Sequence, residues 1–292
     1  MTDDTAPARE KRMARDYFFP TPVYHTDLAQ AQDINARLVA DIRAWRARDP
    51  DGTFRSNVPQ LGGWHSATDM HLRSQFSELT REIFELIHGV FADQGYDDAY
   101  EPVCDSMWAN VNPRGAFNRH HTHPHALWSG VYYVRTPDDC GLLCLTDPRP
   151  QAHVITPYFD ARRRSAHTWA EAYYQPVAGR LIAFPGWLVH STHPNMAGAG
   201  SEPVEDGDGT ARNGTARNGM ARNGMARDGM ARDDRAQRRE EGGLAGERIS
   251  VSFNFRQRRK DIDPATAPAN EVVRADLFAR RQSITNLIEI SS

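Results

Sequence analysis

From Ser106 onward the chain is broken into short β-forming runs separated by turns: "MWANV", "WSGVYYV", "LLCLT", "RLIAF", "WLVH" and "RISVSFNF". Many short strands that close on themselves form a sandwich or a barrel. The last run shows how such a barrel could be filled. One face of "RISVSFNF" carries Arg248, Ser250, Ser252 and Asn254, and the other carries Ile249, Val251, Phe253 and Phe255. Taken alone, that alternation fits a half-exposed strand with its polar face in water. In a barrel, the polar face lines a pocket and the apolar face packs against helices.

Those helices lie upstream. Asp27, with Gln30 three residues on, forms a capping-box signature. Ile34, Leu38, Ile42 and Trp45 then fall at helical spacing. Leu72, Phe76, Leu79, Ile83, Leu86 and Val90 step by four or three residues and paint a second apolar stripe. The segment "YFFPTPVYHTDL" before them reads as a strand or strap on the domain, and 270–288 as a last helix. Helices, then strands, then a helix make an α+β protein whose central part is all-β.

Residues 196–246 break the pattern. Their middle repeats "ARNGT", "ARNGM", "ARNGM", "ARDGM" and "ARDD", with no apolar period and a glycine in nearly every unit. Such a segment buries too little to offset its chain entropy. The sequence therefore predicts a disordered head (1–16), one domain from 17–195 and 247–292, and a disordered repeat insertion (196–246). The net charge of -3 excludes a general basic field for nucleic acid. No run reaches the roughly 18 apolar residues of a membrane span. The three cysteines, Cys104, Cys140 and Cys144, are expected as free thiols in a reducing cytoplasm. The basic stretch "RQRRK" (256–260) reads as a solvated loop.

Four of the twelve histidines, His120, His121, His123 and His125, fall in "NRHHTHPH", immediately before a β-run. In an extended strand His121, His123 and His125 share a face and His120 points away. Pro124 holds His123 extended and cannot donate a ladder bond, which suits a strand mouth. Two neutral imidazoles in H-x-H spacing can reach one ion. A third ligand must come from elsewhere, and His190 leads, ahead of His193. Gly179 and Pro185–Gly186 bracket a strand and turn that would bring "WLVH" back antiparallel and adjacent. A buried Arg248 with a hydroxyl two residues on is a carboxylate receptor. Asn110 shares a face with Trp108 and Asn112; by parity from His121, and without a bulge at Gly130, Ser129 and Tyr133 also face inward. Core packing is the competing role for each of these.

These pieces together resemble the 2-oxoglutarate- and Fe(II)-dependent oxygenases, and more narrowly a bacterial family of that class with no common substrate. The resembling motifs are "FFPTPVY", "HHTHPHALWSGVYYV", "LTDPR", "GRLIAFPGWLVHSTHPN" and "RISVSFNF". They span most of the chain outside the repeat, in order. The resemblance implies a double-stranded β-helix, a jelly-roll or cupin-like barrel with supporting N-terminal helices and a C-terminal helix. It implies Fe(II), 2-oxoglutarate and O2 as cofactor and co-substrates, and decarboxylation of 2-oxoglutarate to succinate and CO2 coupled to hydroxylation.

Residue by residue, His121 matches the first metal ligand and His190 the distal one. Arg248 and Ser250 match the R-x-S pair for the far carboxylate of 2-oxoglutarate, and Asn110 and Tyr133 are further co-substrate contacts. Most relatives have an acid where His123 stands. The third facial position is His123 by its same-face placement, Asp147 from a neighbouring strand, or water. The substrate is expected to be an amino acid, a peptide or a small metabolite. Two competing functions share the residues: a cupin-like three-histidine metalloenzyme without 2-oxoglutarate, and a non-enzymatic β-sandwich with a structural ion. Oligomeric state is not legible.

Overall fold

The two apolar stripes become helices laid against a sheet. The computed structural model describes residues 15–155, 157–160, 162–198 and 246–261. Helix α1 (Ala31–Arg48) buries Ile34, Leu38, Ile42 and Trp45. A short turn of helix, α2 (Gly52–Arg55), follows. Helix α3 (Ser77–Asp93) buries Leu79, Ile83, Ile87, Val90 and Phe91. The predicted stripe began too early: Leu72 lies in a separate 3-10 turn and is exposed, while Phe76 just ahead of α3 is fully buried.

The capping box does not form either. Helix α1 starts at Ala31 without a side-chain cap. Asp27 instead ends strand β1 (Tyr24–Asp27), and its carboxylate takes two hydrogen bonds from the Arg180 guanidinium at 2.7 and 2.8 Å. A guanidinium fork holds a carboxylate more strongly than one backbone N–H does.

The strands β2 (Trp64–His65), β3 (Tyr100–Asn112), β4 (Trp128–Arg135), β5 (Leu143–Thr146), β6 (Glu171–Tyr174), β7 (Arg180–Pro185), β8 (His190–Thr192) and β9 (Arg248–Arg259) complete two antiparallel sheets. The order is β1-β7-β4-β9-β3-β2 in the larger sheet and β6-β5-β8 in the smaller. A flattened barrel results, a double-stranded β-helix of α+β class, with α1 and α3 packed on the outer face of the larger sheet. Strand β9 sits between β4 and β3. Its Ile249, Val251, Phe253 and Phe255 are fully buried among the helix side chains. Its Arg248, Ser250 and Ser252 line the interior. The half-exposed reading of this strand is therefore set aside. Each buried phenylalanine contributes about 1.5–3 kcal/mol of burial free energy, which fixes the face.

Two further expectations fail for long-range reasons. Strands β7 and β8 do not form one antiparallel pair: β7 lies in the larger sheet and β8 in the smaller, paired with β5. The chain crosses between sheets at Pro185–Gly186. A Cβ on Gly186 would come within 2.4 Å of the Ala126 carbonyl oxygen, so only glycine permits this corner. "RQRRK" is not a loop through most of its length, because β9 continues to Arg259 against β3. There Arg258 pairs with Glu101 at 2.5 Å, and Arg256 pairs with Asp105.

The predicted head, repeat insertion and C-terminal helix lie outside the described residues, apart from Arg15–Asp16, Met196–Gly198 and Gly246. The two described ends of the insertion are tied together. The fully buried Asn195 donates through Nδ2 to the carbonyls of Asn112 and Gly246, each at 2.8 Å. No described helix is long and apolar enough to cross a membrane.

Candidate active site

His121 and His190 meet across the barrel mouth in an isolated antiparallel bridge. Each backbone N–H donates to the other's carbonyl at 3.0 Å. The bridge extends the smaller sheet by one strand and places both imidazoles on its inner face. His123 arrives differently. It is not in a strand; its N–H donates to the carbonyl of Gly186 at 2.9 Å, so the β7–β8 corner holds its loop. His125 has φ +70° and is exposed, so strand parity does not extend to it.

The three rings form one cluster. A ligand nitrogen from each of His121, His123 and His190 lies within 4.8 Å of the others. Nδ1 of His121 is 2.6 Å from the Arg119 carbonyl, and Nδ1 of His190 is 2.8 Å from the Leu188 carbonyl. A carbonyl only accepts, so these contacts put the proton on Nδ1 and leave Nε2 with a lone pair. Nε2 of His123 and Nε2 of His190 are 3.2 Å apart. With metal–nitrogen bonds of about 2.1 Å, two nitrogens at right angles on one ion stand roughly 3 Å apart. Burial pushes the His190 imidazole down to about 3. Burial, then the neighbouring His121, lowers His123 to about 4. Both rings are thus neutral near pH 7, the form that binds a metal. The donor set fits a divalent transition-metal ion with coordination positions left open.

Asp147 is not brought to this cluster. Its carboxylate accepts from the Arg149 backbone N–H and guanidinium at 2.6–3.2 Å and faces a separate groove. Arg149 also holds the Asp147 pKa below its ordinary value. His193 turns away from the cavity, its ring 5.5 Å from that of Tyr173. The His120 Nε2 contacts Ser191 Oγ at 3.3 Å on the outer face.

Behind the triad lies a cavity of about 250 Å³. Asn110, Tyr133, Arg248 and Ser250 all line it, so the structure places every expected co-substrate residue beside the histidines. Ser129 is buried deeper, donating to Asn254 Oδ1 at 2.7 Å. Arg248 is 2% exposed, and among the described residues its hydrogen-bond partners include no acid. Nη1 donates to the carbonyls of Cys140, Gly141 and His193 at 2.5–3.4 Å, and Nη2 to Thr192 Oγ1 at 3.0 Å. Burial lowers its pKa, and burial pushes the neighbouring Tyr133 hydroxyl up to about 12.

Thr192 is the residue that sequence reasoning missed. Its Oγ1 accepts from Arg248 and from the Asn118 backbone N–H at 2.8 Å, which uses both lone pairs. Its proton is left to donate, and the residue lines the cavity. The signal was present, since Thr192 shares a strand face with His190. Toward solvent the wall is His65 stacked on Trp108 (5.3 Å, 13°), with Arg55 and Asn57 at the rim. Among the described residues, no Asp or Glu lines this cavity.

Residues 106–200 match a family described as "Putative 2OG-Fe(II) oxygenase". Solved structures with a similar trace include a Pseudomonas putida prolyl-4-hydroxylase, at 16% identity, TM-score 0.45, covering 81% of this chain and 94% of that one. Another is SnoN, a non-heme alpha-ketoglutarate-dependent epimerase from nogalamycin biosynthesis, at 11% identity and TM-score 0.47, with 85% and 87% covered. A third is HygX from Streptomyces hygroscopicus, with nickel and 2-oxoglutarate bound, at 9% identity and TM-score 0.44, with 80% and 82% covered. No curated protein matches. The matched segment carries His121, His123 and His190.

Proposed function

We propose that the chain is a hydroxylase in which His121, His123 and His190 hold Fe(II), and Arg248 holds the far carboxylate of 2-oxoglutarate. One observation carries this reading: a buried guanidinium with no acidic partner among the described residues opens on the same cavity as three clustered imidazoles. A buried cation without a counter-ion is costly unless an anion joins it. A dicarboxylate supplies one.

The chain's own groups then divide the work. The neutral imidazoles offer Nε2 lone pairs and keep the metal's charge uncompensated, which favours anionic ligands in a cavity that no described acid lines. Arg248, the free Thr192 hydroxyl proton and the Tyr133 hydroxyl orient the carboxylate; Ser250 and Asn110 lie on the adjoining walls. Leu143 and Phe184 close the cavity with apolar surface that excludes water. When bound, the iron and 2-oxoglutarate supply the oxidising chemistry. The substrate, an amino acid, a peptide or a small metabolite, enters past His65, Trp108 and the Arg55–Asn57 rim. Residues 17–195 and 247–292 form one oxygenase domain interrupted by the repeat, a division supported by the Asn195 tie. Three free buried cysteines support a reducing cytoplasm.

The test is an anaerobic titration with Fe(II) and then 2-oxoglutarate, following the visible metal-to-ligand charge-transfer band. A saturating band in the wild type, lost in Arg248→Met with Fe(II) binding retained, is expected. Tight Fe(II) binding with no band in the wild type removes the co-substrate site and returns the weight to a three-histidine enzyme without 2-oxoglutarate.

A further inference from the structure

The smaller sheet has a second face. Along β5, Leu143 and Leu145 point into the barrel core, so Cys144 and Thr146 point outward. In register, Cys144 sits between Tyr173 of β6 and Ser191 of β8, and Thr146 sits opposite Glu171. The bridge between His121 and His190 adds one more strand beside β8, and His120 occupies its outer face next to Ser191. Three chemically different donors from three segments therefore converge on one spot.

We propose that His120, Cys144 and Glu171 form a second divalent-metal site of the zinc type on this outer face. One imidazole nitrogen, the thiol sulfur and one carboxylate oxygen lie within 4.8 Å of one another. Bonds of about 2.0–2.3 Å in a tetrahedral site put such atoms roughly 3.5 Å apart, so closure needs about 1 Å of movement. That movement is available: His120 and Glu171 are exposed, and only Cys144 is fixed by burial. Neighbouring groups already orient the mobile ligands. The Tyr173 hydroxyl donates to Glu171 Oε2, and Ser191 Oγ contacts His120 Nε2 at 3.3 Å. A mixed sulfur, nitrogen and oxygen set selects Zn2+ over Mg2+ or Ca2+, which take oxygen. Three protein ligands leave a fourth position for water. His120 and Ser191 adjoin His121 and His190, so an ion here clamps, from behind, the strand pair that carries the active-site histidines.

The experiment titrates the full-length, metal-free protein with Co2+ and counts equivalents while recording the near-ultraviolet thiolate-to-cobalt band. The active-site cluster contains no cysteine, so that band reports this site alone. Two equivalents are expected, with the band saturating at one. Cys144→Ser should abolish the band and one equivalent and keep the other. His120→Ala, an exposed change that spares the fold, should weaken the band-forming event by at least about tenfold. A wild type that takes up one equivalent with no thiolate band overturns the proposal. So does a band that survives Cys144→Ser, or one that saturates only in millimolar cobalt.

Discussion

Replacing Thr192 by valine separates a structural hydroxyl from one that also binds co-substrate. Valine keeps the shape and removes only the oxygen. In the folded protein that oxygen accepts from Asn118 N–H at 2.8 Å and from Arg248 Nη2 at 3.0 Å. Losing one neutral and one charge-assisted hydrogen bond costs about 2–4 kcal/mol of stability, so the variant should unfold at lower denaturant. If the hydroxyl proton donates to the 2-oxoglutarate carboxylate, a further charge-assisted bond is lost on binding. That is worth about 1.5–3 kcal/mol, or roughly a 10- to 150-fold rise in Kd. The assay is the charge-transfer titration on the folded variant, with Fe(II) affinity measured first as a control. Thr192→Ser should recover most of the affinity because it restores the same three bonds. Wild-type 2-oxoglutarate affinity in Thr192→Val, with the stability loss present, would refute the assignment of the free proton to the co-substrate.

Other outcomes follow from specific contacts. Gly186→Ala places a Cβ 2.4 Å from a backbone oxygen, so it should destabilise by about 1–3 kcal/mol. It should also weaken Fe(II) binding, because the displaced corner carries His123; calorimetry and a metal titration check both. Deleting residues 199–245 and joining the ends with a few glycines should leave Fe(II) and 2-oxoglutarate binding intact. Closing a shorter loop should raise stability by up to about 2 kcal/mol, and a collapse of urea stability on deletion would count against the single-domain reading. On the alkaline side, burial holds the Cys104 thiol protonated up to about 12. The unfolded thiol ionises near 8.5, so the native preference is fully present below that pH and fades as pH rises toward 12. Denaturation midpoints should therefore fall above about pH 9. Alkylation of Cys104, followed by mass spectrometry, should stay slow there in native protein; rapid native labelling at pH 9 would contradict the burial argument.

Much of the architecture was legible because side-chain period is a local property. The stripes of α1 and α3 and the two faces of β9 could be read from spacing alone, and their apolar halves now form one core. The histidine cluster was legible as chemistry for the same reason: His121 and His123 stand in H-x-H spacing, and His190 ends an apolar run. Where local signals compete, the reading slipped. Asp27 can cap a helix or bind an arginine, and Arg180, distant in sequence, took it. "RQRRK" is polar like a loop, yet Glu101 and Asp105 across the sheet neutralise it as a strand. "EAYY" of β6 is too short and mixed to announce itself, and only pairing with β5 makes it a strand.

What the sequence determined by itself is which side chains share a face: Arg248 with Ser250, Cys144 opposite Leu143 and Leu145, His190 with Thr192. What only the tertiary structure decided is which faces meet. His123 reaches His190 because its loop is hydrogen-bonded to Gly186, not because strand parity carries it there. Strand β8 faces the cavity from the smaller sheet because the chain turns across at that glycine rather than folding back on β7. The acceptance of two hydrogen bonds by Thr192, which frees its proton, depends on Asn118 and Arg248 arriving from separate strands and loops. Alternation along a strand is set by covalent geometry and survives in any fold. Strand partnership is set by hydrogen bonds and packing between residues far apart in the chain, and no local window contains that information.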